Sequence, residues 1–219
     1  MKGTKRFTMK NILCYGDSNT WGYTPGTAVR YAPDVRWTGV AQQLLGAEYH
    51  IIEEGLNART TVYDDPWSFW RNGKEYLPAC LISHKPLDLL VISLGTNDLK
   101  FTDAYGATKG VEALISLTDM VQNKKESSLV FPHGVKVLVI SPITLGERVI
   151  DRIDSSVQYK YEESCKFGPL MARMAKAKGA AFIDAAKIAQ PSETDCVHMN
   201  PDGHKALGIA VAEEIRKII

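Results

Sequence analysis

A chain of 219 residues is long enough for one sizeable domain with a real core. Its 26 basic and 25 acidic side chains nearly cancel, which argues against nucleic acid or an anionic membrane surface as a partner. No stretch approaches the length of a membrane-spanning helix, and Cys14, Cys80, Cys165 and Cys196 show no paired spacing, so a reducing cytoplasm is expected.

Met1 to Lys10 is basic but lacks the long apolar run and small-residue cleavage site of a secretory signal. It reads as an exposed extension, leaving residues 11–219 as a single domain. Asn11 to Tyr15 is a short apolar run that stops at Gly16-Asp17-Ser18. A buried strand ending in glycine can turn tightly and present Ser18 at its carboxyl end, the edge where open α/β sheets bind ligands. The same residues also make ordinary turns, so this motif by itself does not decide.

Asp34 to Gly46 reads as a helix capped by Asp34 and ended by Gly46. Glu48 to Glu53 is a second strand, Asn57 to Gly73 a long polar and aromatic loop, and Tyr76 to His84 a helix in which Pro78 suits only the first turn. Asp88 to Gly95 is the clearest buried strand, stopped by Gly95-Thr96-Asn97-Asp98. Ala107 to Lys125 places Val111, Leu114, Ile115, Leu117 and Val121 at helical spacing. Val135 to Pro142 is a further strand, Val157 to Lys178 a helix broken or kinked at Gly168-Pro169, Ala180 to Ile183 a last strand, and Pro201 to Ile219 a closing helix.

Strands alternating with helices imply right-handed βαβ units. The expected fold is α/β: a three-layer αβα sandwich around a doubly wound, mainly five-stranded parallel sheet. There is no internal repeat or linker, no Gly-x-Gly-x-x-Gly after the first strand and no Walker-type Gly-Lys-Ser/Thr, which argues against nucleotide binding.

Three further stretches fall at strand ends. Asn97 can aim a neutral amide donor into the crevice of Ser18, or close the strand as an Asx-turn. The loop Glu53 to Thr61 can supply a backbone N–H, or be a plain polar loop. In Asp195-Cys196-Val197-His198 a turn lets residues three apart meet, so the carboxylate can hold one ring nitrogen and leave the other as a base. An exposed histidine near a helix start is the bland alternative. His50, His84, His133 and His204 have no comparable partner, and no Cys or His spacing matches a zinc site, so neither metal nor cofactor is expected. Cofactor-free acyl transfer is the economical reading: Ser18 attacks a carbonyl, His198 moves the proton, Asp195 orients the ring, and Asn97 with two backbone amides holds the oxyanion.

These blocks, Gly16-Asp17-Ser18, Gly95-Thr96-Asn97-Asp98 and Asp195-x-x-His198, resemble those of the SGNH (GDSL-type) hydrolases, a likeness that spans nearly the whole domain. Arg36-Trp37-Thr38-Gly39, Glu53 to Thr61, Tyr76 to Leu81 and Leu87-Asp88-Leu89 are similar to the bacterial arylesterase and acyltransferase branch. The resemblance implies a flavodoxin-like SGNH fold, Ser18, Asp195 and His198 as triad, and the backbone amides of Ser18 and Ala58 with Asn97 as oxyanion hole. Asp17, Trp21, Asn57, Thr96 and Val197 flank these groups and are assigned to substrate binding. Two departures stand out: Asn19 replaces the leucine of the family name, and Ala58 replaces the oxyanion-hole glycine, so a positive φ there would be strained.

The loops carry Trp21, Tyr23, Trp37, Trp67, Phe69 and Trp70, which can build an apolar acyl or aryl pocket, stack on sugars or simply pack. The segment Thr144 to Tyr159, with Glu147, Arg148, Asp151, Arg152 and Asp154, is too polar for a lipase lid and suits a loop that narrows the site or a subunit contact. The expected enzyme is a serine esterase for small aryl or short-chain acyl esters. The branch further implies a homo-oligomer and acyl transfer to alcohols. Alternatives are a carbohydrate O-acetylesterase, a thioesterase or lysophospholipase, and a silent ester- or glycan-binding protein.

Overall fold

A computed structural model describes residues 9–124, 129–149 and 161–219. Its strands fall where the sequence reading placed them: β1 (Lys10–Gly16), β2 (Tyr49–Gly55), β3 (Leu89–Ser93), β4 (Val137–Ser141) and β5 (Ala181–Asp184). They form one parallel sheet in the order β2-β1-β3-β4-β5. The chain leaves β1 in one direction to make β2 and returns across it to make β3, so the direction of winding reverses between β1 and β3.

Alternation along the strands divides the core in two. Leu13, Tyr15, Leu90, Ile92 and Val139 face α3 (Gly73–Ser83), α4 (Ala104–Gln122) and α6 (Phe167–Lys178), where they meet Leu77, Leu81, Val111, Leu114 and Met171. Ile12, Cys14, Leu89, Val91, Leu138 and Ile140 face α2 (Trp37–Leu45) and α7 (Pro201–Ile218), against Trp37, Leu207, Val211 and Ile215. Both faces are covered, which is why the strands read as continuous apolar runs. Each such aliphatic side chain contributes about 1.5–3 kcal/mol on burial. Two short α-helices also lie among the described residues: α1 (Ser18–Trp21) and α5 (Tyr161–Ser164).

Several helix boundaries differ from the sequence reading, including α4, which runs Ala104–Gln122 from a cap at Asp103 rather than Ala107 to Lys125. Arg36, not Asp34, is the cap position of α2, and the Trp37 N–H is taken by His204 Nδ1 at 3.3 Å, a partner far along the chain. Helix α3 starts at Gly73 because the Asn72 side chain accepts from Lys74 N, so Pro78 lies inside the helix rather than in its first turn. The break expected at Gly168-Pro169 falls at Cys165-Lys166, which puts Pro169 in the first turn of α6, where its missing N–H leaves no bond unmade. Residues 157–160 of that expected helix lie outside the described residues. Among the described residues no helix is long and apolar enough to cross a membrane.

Candidate active site

Gly16 is level with Gly55 on β2 and Ser93 on β3, so three strands end in one row and their loops leave together. Glycine is required at position 16 for room: a Cβ there would lie 2.0 Å from Thr20 Oγ1 and 2.9 Å from the Ser93 carbonyl. At Gly55 it would lie 2.2 Å from the backbone nitrogen of Trp21. The tight packing presses α1 onto the strand ends. Asp17 caps that single turn by accepting from Asn19 N at 3.0 Å, and Gly22 closes it at φ 89°. Ser18 opens the helix and is 8% exposed.

The sequence around His198 folds into a local turn because Asp195 Oδ1 accepts the backbone N–H groups of Val197 (3.0 Å) and His198 (2.9 Å). Its other oxygen lies 2.7 Å from His198 Nδ1, and His198 Nε2 lies 2.8 Å from Ser18 Oγ. Burial pushes the Asp195 carboxyl up, but the His198 ring and the backbone N–H groups outweigh it and hold the group below the usual carboxylate range. An ionised Asp195 places the ring proton on Nδ1, and Nε2 is then the acceptor facing the serine hydroxyl. The Tyr23 ring stacks on the imidazole with centroids 4.3 Å apart. Cys196 holds φ 61°, and the turn is braced by Cys196 N donating to the Ser192 carbonyl and Ser192 N to the His198 carbonyl.

Across from this turn, the loop after β2 is bound to β1. Leu56 N and the Arg59 guanidinium both donate to the Gly16 carbonyl at 3.0 Å, and the guanidinium lies 4.0 Å from the Tyr15 ring centroid. Ala58 has φ 61°, in a region that disfavours any β-carbon, so the strain that a positive angle would bring to this alanine is present. Asn97 Nδ2 donates to the Arg59 carbonyl at 3.1 Å, beside Ala58. Asp98, fully buried, accepts from Thr61 N at 3.0 Å and from Thr61 Oγ1. The Ala58 loop and the Asn97 turn are thus clipped into one unit. Asp98 had no role in the sequence reading; its partner lies 37 residues away, and the sequence offered only an acid directly after Asn97 in Gly-Thr-Asn-Asp. Burial pushes its carboxyl up to about 7 despite the Thr61 bonds, and pushes Asp17 up to about 6.

The residues assigned to substrate binding are placed differently from one another. Asp17, Thr96 and Val197 are 4%, 5% and 3% exposed. Asp17 serves as the helix cap, and the Val197 carbonyl accepts from Asn19. Asn57 is half-buried, with its Oδ1 covered and unbonded among the described residues. Trp21 is half-buried, with the Arg30 guanidinium 5.4 Å from its ring centroid. Trp37, counted among the pocket aromatics, is instead fully buried in the core, whereas Trp67, Phe69 and Trp70 are 92%, 74% and 89% exposed. Asp151, Arg152 and Asp154 lie outside the described residues.

Three other histidines have partners that spacing did not reveal, the first being His50, whose Nδ1 lies 3.3 Å from Asn11 Oδ1. His84 Nε2 meets Glu54 Oε1 at 2.9 Å, a carboxylate delivered by β2. His204 is buried, which pushes it down to about 4 and keeps it a neutral acceptor for Trp37 N. Glu54, Cys80 and His84 place donor atoms within 4.8 Å of one another, a possible metal-binding trio. Burial, then the Glu54 charge, pushes the Cys80 thiol up to about 12, so it stays protonated and is a poor ligand near neutral pH.

No curated protein sequence matches the chain. Among solved structures, the M. smegmatis aryl esterase is 35% identical with a TM-score of 0.86, over 96% of this chain and 100% of that one. Est24, a carbohydrate acetylesterase from Sinorhizobium meliloti, is 34% identical with a TM-score of 0.86 over the same shares. The model of the GDSL-like lipase/acylhydrolase family matches residues 14–206. That match runs from the strand that delivers Ser18 into the helix that follows His198, and the chain therefore belongs to this family of ester-bond hydrolases.

Proposed function

We propose that the protein is a serine esterase acting on small aryl or short-chain acyl esters, acetyl esters above all, through an acyl-enzyme. The observation that carries this reading is the relay Asp195–His198–Ser18, joined at 2.7 and 2.8 Å on the sheet edge where ligands bind. Ser18 Oγ attacks the ester carbonyl carbon while His198 Nε2 takes its proton. The Ser18 and Ala58 N–H groups and Asn97 stabilise the negative oxygen of the tetrahedral intermediate. His198 returns the proton to the departing alcohol as the ester C–O bond breaks. Water then repeats the sequence on the acyl-serine and releases the acid.

A second reading, a carbohydrate O-acetylesterase, is favoured by one feature beyond the similarity to Est24. An open cavity of about 390 Å³ adjoins the His198 turn, lined by Glu147, Arg148, Gln190, Ser192, Glu193 and Cys196. The charged, amide and hydroxyl groups on this lining suit hydroxylated substrates. An alcohol in place of water would make the same acyl-enzyme a transferase. Exposed Trp67, Phe69 and Trp70 support self-association, which sedimentation would test.

The test of the main reading is a burst experiment with p-nitrophenyl acetate, following acylation by intact mass. The wild type should give a burst and an acetyl increment on Ser18, both absent in Ser18→Ala. Full turnover by that variant would sink the proposal. Comparing p-nitrophenyl acetate with acetylated sugars then separates the two substrate readings.

A further inference from the structure

Asn19 stands where the Gly-Asp-Ser-Leu block has leucine, directly after Ser18 in α1. Its side chain crosses to the segment carrying His198 and binds it on both sides of that residue. Met199 N donates to Asn19 Oδ1 at 3.0 Å, and Asn19 Nδ2 donates to the Val197 carbonyl at 3.4 Å. A backbone N–H demands the amide oxygen and a carbonyl demands the NH₂ group, so the two contacts fix which way the amide points. Leucine has nearly the same shape and offers neither group, while aspartate offers only acceptors. Val197 and Met199 are 3% and 1% exposed, so water does not readily replace a lost partner.

The two bonds join neighbours of the two groups that must meet. Asn19 is covalently next to Ser18, and Val197 and Met199 are covalently next to His198. We propose that Asn19 is a positioning residue that locks the His198 segment to the nucleophile helix and thereby sets the 2.8 Å approach of His198 Nε2 to Ser18 Oγ. It acts through His198 and touches no reacting atom. The inference rests on the reading of Ser18 and His198 given above. A misplacement of about 1 Å in such a pair costs about 100-fold in rate. The proton is moved by His198 in both acylation and deacylation, so both steps should slow, while the pocket that receives the ester is left as it was.

The experiment measures sulfonylation of Ser18 by phenylmethanesulfonyl fluoride, by intact mass, alongside p-nitrophenyl acetate kinetics across pH. Wild type, Asn19→Leu and Asn19→Asp are compared, each normalised to folded protein by near-ultraviolet circular dichroism. For Asn19→Leu we expect kcat and the sulfonylation rate to fall about 10- to 100-fold with KM changed less than about threefold. Asn19→Asp keeps an acceptor for Met199 N and should recover part of that loss. Its added carboxylate near His198 should move the acid limb of the kcat/KM profile to higher pH. Wild-type rates per folded molecule in Asn19→Leu, or a loss confined to KM, would overturn the inference while leaving the nucleophile assignment intact. Failure of the wild type to be sulfonylated at Ser18 would overturn both.

Discussion

On one side of Ser18, Asp195 sits in a solvent-reached turn, its side chain 15% exposed, and gathers three N–H donors from residues within three positions of itself. On the other side, Asp98 is fully buried and takes its donors from Thr61, 37 residues away. One carboxyl is held below its usual range and the other is pushed up to about 7, although both accept several hydrogen bonds. The difference is the balance between desolvation, which penalises the charged form, and donors that favour it. It teaches that the two carboxyls serve different ends. Asp195 is kept charged beside an imidazole that becomes cationic in the proposed mechanism, while Asp98 holds two loops together in a place where a full negative charge is costly.

The sharpest way to break this contrast is at the charged end. Asp195→Asn should lower kcat by about 10⁴-fold with little change in melting temperature, because the ring loses the partner that selects its tautomer. A loss below about tenfold would show that the turn alone orients His198. Asn97→Ala, on the buried side, should cost about 10²–10³ in kcat, the effect of removing one oxyanion donor; unchanged kcat would confine Asn97 to its bond with Arg59.

Asp98→Asn probes stability through pH. A carboxyl with its folded value raised to about 7 keeps a proton that the unfolded chain has released, so stability falls as pH rises from about 4 to about 7. The destabilisation is complete above that window and amounts to about 4 kcal/mol for three units. The melting-temperature gap between Asp98→Asn and wild type should therefore move in favour of the variant across the window and stay level above about pH 8. A gap independent of pH would mean that Thr61 holds Asp98 ionised throughout. The smallest effect belongs to Ala58→Gly. Relief of the φ 61° backbone, offset by a freer unfolded chain, should raise stability by no more than about 1 kcal/mol, with kcat within about twofold. A large loss of activity would show that the alanine methyl itself shapes the oxyanion hole.

Much of the molecule was legible beforehand because its signals are local. All five strands were expected, the central ones from continuous apolar runs such as Leu89–Ser93 and Val137–Ser141, since a sheet covered on both faces leaves no polar alternation to confuse them; β2, Tyr-His-Ile-Ile-Glu-Glu-Gly at the sheet edge, is the more polar exception. The Asp195 turn was readable from its own four residues. Helix starts were less so: α2 is capped by His204 from another helix, and Asp34 misled because a good capping side chain is only one way to satisfy an N-terminal N–H. His84 looked solitary because its carboxylate comes from β2. Trp37 looked like a pocket residue because hydrophobicity does not say whether a side chain faces the core or a cleft.

From the sequence alone came the strand ends, and with them the three loops that converge on one edge, together with the turn that couples Asp195 to His198. These depend on interactions within a few residues, where spacing translates directly into geometry. The tertiary structure alone decided the left-handed backbone at Ala58, the clip between Asp98 and Thr61, and the hold of Asn19 on both sides of His198. Each of the two clips joins groups tens to hundreds of residues apart, and a donor finds such an acceptor only after the sheet has brought their loops to the same place.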